Sequence, residues 1–256
     1  MHSLVPFSEG QLFSVTKYYK NVNRIIDKIT IIYPLSLTNL DFLQPLTNAL
    51  FFSSLDAHFS ELEIGFAIDG SASIQFYGKT NFQKLKDFVT KLTRSFNVSN
   101  NETRVGLIVY STTLTLAFNL DRYSSLNRTV EAINNATYPG GGTFTGQALN
   151  LAATGLFNDS VIRANVSQVL VLVTDGVSTD DVIEPADSLS SVFVYVVGIG
   201  KNYELSQLQR IARDKQERVF PTEFDKLQNV ADDVRGQICL GNYKIFVFAL
   251  TTKNIN

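Results

Sequence analysis

Residues 63–73 read EIGFAIDGSAS and residues 169–176 read VLVLVTDG. Each is a short apolar run that ends in an Asp-Gly pair. Val169–Val173 is apolar without a break, the pattern of a central parallel strand covered on both faces. After Glu63–Asp69, the chain places Phe82, Leu85, Phe88, Leu92 and Phe96 at spacings of three and four, which predicts a helix over 81–96. Working outward, Arg104–Ser111 reads as a buried strand and Thr113–Asn119 as a half-exposed one. Their tight connection predicts a hairpin whose second strand runs antiparallel at a sheet edge. Leu126, Val130 and Ile133 mark a helix that Pro139–Gly142 ends, and Thr145–Phe157 resumes helical spacing. Val192–Ile199 is a further buried strand, Leu205, Leu208 and Ile211 mark a helix, and Val219–Phe220 is a last short strand. Phe224, Leu227, Val230, Val234 and Ile238 give the final amphipathic helix. This alternation predicts an α/β fold, an open sheet that is mainly parallel with one antiparallel edge strand and helices on both faces. It spans 61–240. Residues 1–60 show no sustained period and stay unassigned, as does the tail 241–256, where Ile245–Leu250 reads as strand-like.

Composition narrows the function classes. The 256 residues are 45% hydrophobic and 18% charged, with a mean hydropathy of +0.05, which excludes a largely disordered chain. A net charge of −2 supplies no broad basic field, so neither nucleic acid nor an anionic membrane surface is an expected partner. No apolar run approaches the ~18 residues of a membrane helix, and membrane insertion is not expected. The start, MHSLVPFSEG, lacks the basic and apolar regions of a signal peptide. The single Cys239 has no internal disulfide partner. Six Asn-x-Ser/Thr sequons, at Asn97, Asn101, Asn127, Asn135, Asn158 and Asn165, are candidate glycosylation sites. Chance gives about three for this composition, so the sequons lean toward an extracellular location. Asn135 lies five residues before the triple Gly, where a glycan is expected to crowd the site described next, which argues against occupancy of that sequon.

Asp69, Ser71 and Ser73 follow directly on the first parallel strand, and alternate side chains of an extended segment project to one side. Asp175 ends another central strand. In open α/β sheets ligands bind outside the carboxyl ends of the strands where strand order reverses, so neighbouring strands would bring both carboxylates to one crevice. The loop Gly140-Gly141-Gly142-Thr143 lets backbone and a Thr hydroxyl approach closely. Singly, an Asp-Gly turn or a Gly run is ordinary loop chemistry. Their order on these strands is what points to a site. Two carboxylates with hydroxyls, and neither thiol nor imidazole, suit a hard divalent cation: Mg²⁺ or Mn²⁺, with Ca²⁺ an alternative and zinc a poor fit. The only histidines, His2 and His58, lie outside the α/β region, which excludes a His-based triad there.

Asp69-Gly70-Ser71-Ala72-Ser73 resembles the DxSxS motif of von Willebrand factor type A domains. GGGTFTGQAL at 140–149, VLVTDGVSTDDV at 171–182, VYVVGIG at 194–200 and LQRIARDKQERVFPTEFDKLQNVADDVRGQIC at 208–239 resemble the same family, in its matrilin and collagen-associated branch. The resemblance covers about 61–240. It implies a Rossmann-like domain with a metal-ion-dependent adhesion site, in which Ser71, Ser73 and Thr143 ligate the ion directly and Asp69 and Asp175 bind it directly or through water. It also implies a secreted or matrix-resident protein that binds an extracellular-matrix partner, such as a collagen, through a partner Asp or Glu. Matrix-type members pair a Cys before the first strand with one after the last helix; here only Cys239 matches, and 61–63 holds no Cys.

Two other functions fit parts of the pattern. A Mg²⁺-dependent phosphohydrolase of the haloacid-dehalogenase type also places Asp after its first strand, and Lys201 follows the strand 192–199 where a phosphate-binding Lys would stand. That chemistry needs a second acid two residues on, where Ser71 stands. A metal-free spacer domain is the other alternative. Dinucleotide binding is excluded, because neither GxGxxG nor GxxxxGK[ST] occurs. The expected reading is a non-enzymatic adhesion module.

Overall fold

The computed structural model describes residues 12–17, 29–34, 61–76 and 78–253, with backbone alone for 12–17, 29–34 and 242–253. The chain divides into two compact units, 1–55 and 56–256. In the first, β1 (Leu12–Lys17) and β2 (Ile29–Pro34) form an antiparallel pair, with Leu12 opposite Pro34 and Lys17 opposite Ile29. The absence of a long period over 1–60 hid these two short strands; the other residues of 1–60 lie outside those described, His2 and His58 among them.

The second unit is a six-stranded sheet. Its strands are β3 (Leu62–Asp69), β4 (Thr103–Tyr110), β5 (Leu114–Phe118), β6 (Ser167–Gly176), β7 (Phe193–Asn202) and β8 (Val219–Thr222). The spatial order is β5-β4-β3-β6-β7-β8. All pairings are parallel except β4 with β5, the expected hairpin, which is antiparallel and carries a register shift. β8 holds Pro221 because an edge strand has one side with no ladder to donate to.

Period two on the central strands builds two cores. Leu62, Ile64, Phe66 and Ile68 of β3 and Val169, Val171 and Val173 of β6 face one side. There they meet α2 (Asn81–Arg94), α3 (Leu126–Asn134) and α7 (Leu227–Lys253) through Phe82, Leu85, Phe88, Ile133, Leu227 and Val234. Ala67, Leu170 and Leu172 face the other side and pack on α4 (Thr145–Leu151), α5 (Ile183–Ser188) and α6 (Leu205–Ile211). A five-residue helix, α1 (Ala72–Phe76), follows β3, and a π-helical turn, Ala152–Leu156, extends α4.

The odd positions of β3 are small in the middle and acidic at both ends: Glu63, Gly65, Ala67, Asp69. A Cβ on Gly65 would come within 2.8 Å of the Leu156 side chain, so the glycine lets the helix after α4 seat closely. Glu63 has no exposed surface, yet it is neutralised: Arg104 Nη2 and Arg163 Nε donate to its carboxylate at 2.6 and 2.7 Å. Asp69, six residues along the same face, is equally buried.

The strand-like run 245–250 is instead helical, as α7 continues without interruption from Leu227 to Lys253. A short apolar run without period two is compatible with either state, and here the helix upstream sets it. No described helix is long and apolar enough to cross a membrane.

Candidate metal centre

β3 and β6 are hydrogen-bonded neighbours, with Ile68 opposite Val173, so the two strands end side by side. The chain leaves β3 toward β4 on one side and returns to β6 on the other. The crevice between their carboxyl ends is therefore the point where strand order reverses. Asp69 and Asp175 both stand there, with 0% and 2% of their surfaces exposed.

The local geometry follows from a tight turn. Ser71 N–H donates to Asp69 Oδ1 at 2.8 Å, folding the chain back over the carboxylate. Ser73 Oγ donates to Asp175 Oδ1 at 2.7 Å. Ser71 Oγ lies 3.0 Å from Ser73 Oγ; with the Ser73 proton spent on Asp175, Ser71 is the donor. Four of the five expected residues thus form one hydrogen-bonded group across two strands.

Thr143 arrives from the loop before α4. Ala72 N–H donates to Gly141 O at 2.8 Å and Tyr138 Oη donates to Ser71 O at 3.0 Å, tying that loop to the turn after β3. Thr143 O accepts from both Thr179 N–H and Thr179 Oγ1 at 2.8 Å. Its buried side chain sits against the end of β6, with Oγ1 3.8 Å from the position a Cβ on Gly176 would take. Gly141, at φ +100° and crowded by Thr112 Oγ1, holds a backbone that a side chain would strain.

Several positioning groups were not read from the sequence. Thr174 Oγ1 donates to Asp69 Oδ2 at 2.8 Å. Asp180 accepts from Gly146 N–H and Gln147 N–H at 2.9 and 2.7 Å, capping α4 from another loop. Ser178 Oγ accepts from Thr145 N–H. A Cβ on Gly146 would fall 1.8 Å from Asp181 O, so only glycine permits this contact. The acid-rich stretch after β6 was visible, but not the fact that it caps a helix more than thirty residues earlier.

The electrostatics are unbalanced. Among the described residues no Lys, Arg or His pairs with Asp69 or Asp175. Burial raises the pKa of Asp69, against the hydrogen bonds from Ser71 and Thr174. Burial, opposed by the Ser73 hydrogen bond and reinforced by the Asp69 charge, raises Asp175 to about 6. Asp175 Oδ2 is buried with no hydrogen-bond partner among the described residues. An orphaned carboxylate oxygen beside a second carboxylate and three hydroxyls is the donor set a hard divalent cation takes. Among the described residues no cluster of three or more His, Cys, Asp or Glu offers an alternative centre.

A pH dependence follows with a fixed sign. Asp175 titrates near 3.8 when unfolded and near 6 when folded, so the cation-free fold binds the extra proton between these values. Its contribution to stability is complete below pH 3.8 and is lost as pH rises through about 6. In EDTA, the wild type is expected to lose stability relative to Asp175→Asn as pH rises from 5 to 7.5, read from urea midpoints. Parallel pH profiles for the two would contradict this.

An open α/β sheet with paired carboxylates and hydroxyls at its switch point has the form of a ligand-binding module. The von Willebrand factor type A domain model matches residues 63–233, and the chain belongs to that family. It is 37% identical over 181 residues to human vitrin, covering 69% of this chain and 26% of vitrin. It is 34% identical over 190 residues to the mouse collagen alpha-4(VI) chain, covering 73% of this chain and 8% of the collagen. The chain thus spans about a quarter of one relative and under a tenth of the other. Proximal thread matrix protein 1 from the mussel byssus, with its MIDAS motif (metal-ion-dependent adhesion site) occupied by zinc, superposes with a TM-score of 0.66 at 28% identity. That match covers 70% of this chain and 46% of that one. Zinc, a poor fit by donor chemistry alone, thus occupies the motif of a similar protein.

Proposed function

We propose that the domain is a non-enzymatic adhesion module that holds a divalent cation between Asp69, Ser71, Ser73, Thr143 and Asp175 and uses it to bind an acidic residue of an extracellular-matrix protein. The observation that carries this is a contrast along one face of β3. Buried Glu63 is matched by two arginines, whereas buried Asp69 and its neighbour Asp175 have no cationic side chain among the described residues. Buried carboxylates are costly unless neutralised, and a divalent ion is the counter-charge this donor set fits. When bound, such an ion supplies positive charge and a coordination position for one more carboxylate oxygen. The protein's part is to fix two acids, three hydroxyls and the loop carrying Thr143 so that one direction stays open for a partner.

A collagen and a byssal matrix protein among the relatives support a matrix partner and an extracellular setting. A phosphohydrolase needs an acid two residues after Asp69. Ser71 is committed there, its N–H on Asp69 and its hydroxyl on Ser73, which supports binding over catalysis. The test is retention of the full chain on immobilised collagen. Binding in Mg²⁺ that is lost in EDTA and in Thr143→Ala, with the fold intact by circular dichroism, is the expected result. Equal retention under all three conditions would reject the metal bridge, and no retention in Mg²⁺ would reject collagen as the partner.

A further inference from the structure

A cleft of about 260 Å³ opens between the β4–β5 hairpin and α3. It is smaller than the roughly 300–1,000 Å³ of pockets that hold drug-sized ligands, a size that suits one sugar ring. One wall is aromatic: half-buried Tyr123, with the Arg122 guanidinium 5.6 Å from its ring centroid, meets the buried Phe118 edge to face with centroids 5.2 Å apart. Ala132 on α3 also lines the cleft, as does Thr115 with its hydroxyl-bearing side chain.

The rim on the α3 side is Asn135-Ala136-Thr137, all three of which line the cleft and together form a complete glycosylation sequon. Asn135 is exposed, and its backbone caps α3 by donating to Glu131 O at 3.0 Å. Its side-chain amide makes no hydrogen bond among the described residues. The other sequons differ. Asn97 and Asn101 lie between α2 and β4, Asn158 and Asn165 between α4 and β6, and Asn127 in the first turn of α3. None of these five lines the cleft, and the Asn158 amide is engaged, donating to Thr154 O at 3.2 Å.

We infer that the cleft is the seat of the first N-acetylglucosamine of a glycan on Asn135, the pyranose ring packing against Tyr123 while its polar groups stay in water. The inference rests on the extracellular setting of the proposed function. Attachment joins Asn135 Nδ2 to the anomeric carbon of the sugar. The amide gives up one proton and the lipid diphosphate of the donor leaves. Aromatic faces carry negative charge density that attracts the polarised C–H bonds of a sugar, and a tethered ligand occupies its cleft at high effective concentration. Seated there, the sugar lies against the hairpin, which answers the expectation that a glycan at this position crowds the cation site.

The full chain, secreted behind a heterologous leader from cells that make high-mannose glycans, provides the test. Peptide mass mapping reads occupancy at all six sequons. Endoglycosidase H leaves one N-acetylglucosamine on each Asn, whereas PNGase F hydrolyses the linking amide, releases the sugar and leaves Asp, so Asn135→Asp is run beside it as the charge control. The expected results are an occupied Asn135, a Tm retained after endoglycosidase H, and a Tm lower by about 3 °C after PNGase F, the order of shift one contact gives in a domain of this size. Thr137→Ala should lower the Tm by the same amount, Asn127→Gln should not, and in Tyr123→Leu the two enzyme treatments should give equal Tm values. A bare Asn135 beside occupied sequons elsewhere, or equal Tm after both enzymes in the wild type, would overturn the seat alone. No occupied sequon at all would overturn it together with the extracellular reading.

Discussion

Replacing Glu63 by Ala is expected to lower the unfolding free energy by about 3–5 kcal/mol, the cost of removing one partner from a buried ion pair. The carboxylate has no exposed surface and accepts from Arg104 Nε and Nη2 and from Arg163 Nε and N–H. Truncation leaves two guanidinium groups without their anion at the amino-terminal ends of β3 and β4. Arg163 would keep its bonds to the carbonyls of Leu62, Asn100 and Glu102, and Arg104 its bond to Val161 O. Those partners are neutral and do not replace the charge. Glu63→Gln preserves volume and some hydrogen bonding and should lose less. At about 2–4 °C per kcal/mol for a domain of this size, the Ala variant should melt roughly 10 °C lower. Urea unfolding checks this, and a loss under about 1 kcal/mol would show that the ion pairs are replaceable. Cation affinity should be unchanged in folded Glu63→Ala, because Glu63 and Asp69 occupy opposite ends of β3.

The second large effect is cation-linked stability. A ligand at one hundred times its Kd that binds only the folded state stabilises it by about 2.7 kcal/mol, roughly 5–10 °C in Tm here. Wild-type protein in saturating Mg²⁺ or Mn²⁺ should show that rise over EDTA. Asp69→Ala and Thr143→Ala should show little or none. Asp175→Asn removes one of two adjacent buried charges, so in EDTA at pH 7.5 it should melt above wild type and gain little from the ion. The reversal of order between EDTA and Mg²⁺ is the signature of a site that costs stability until filled. Identical melting of the wild type in EDTA and saturating Mg²⁺ would contradict it.

Legibility in the sequence followed the physics of each element. β6 and β7 were plain because uninterrupted apolar runs between helical periods have few other solutions. The β4–β5 hairpin was plain from its short polar connection. α5 was not: IEPADS is six residues long, too short for a period, and carries Pro185 inside it. α1, with five residues, escaped for the same reason. The tail 245–250 misled because its apolar residues carry no alternation, and only continuity with α7 makes it helical.

The five candidate residues could be singled out because two strand ends and one Gly run carry them, and the sheet order brings those ends together. Their support could not. Thr174 reads as part of a strand, and Asp180 caps a helix distant in sequence. The Glu63 network joins residues 41 and 100 positions apart, with no local sign of pairing. Long-range polar pairing leaves no period behind it. The aromatic wall beside Asn135 was hidden likewise, since Phe118, Tyr123 and Ala132 meet only when the hairpin packs on α3.

Calorimetric titration of the full chain with Mg²⁺, Mn²⁺, Ca²⁺ and Zn²⁺, beside Asp69→Ala and Thr143→Ala, tests the central claim most directly. One divalent ion binding per wild-type chain, with affinity at least tenfold weaker in both variants, is the predicted result. Equal heats for wild type and variants with every ion would show that the paired carboxylates hold no cation, and the adhesion mechanism would lose its basis.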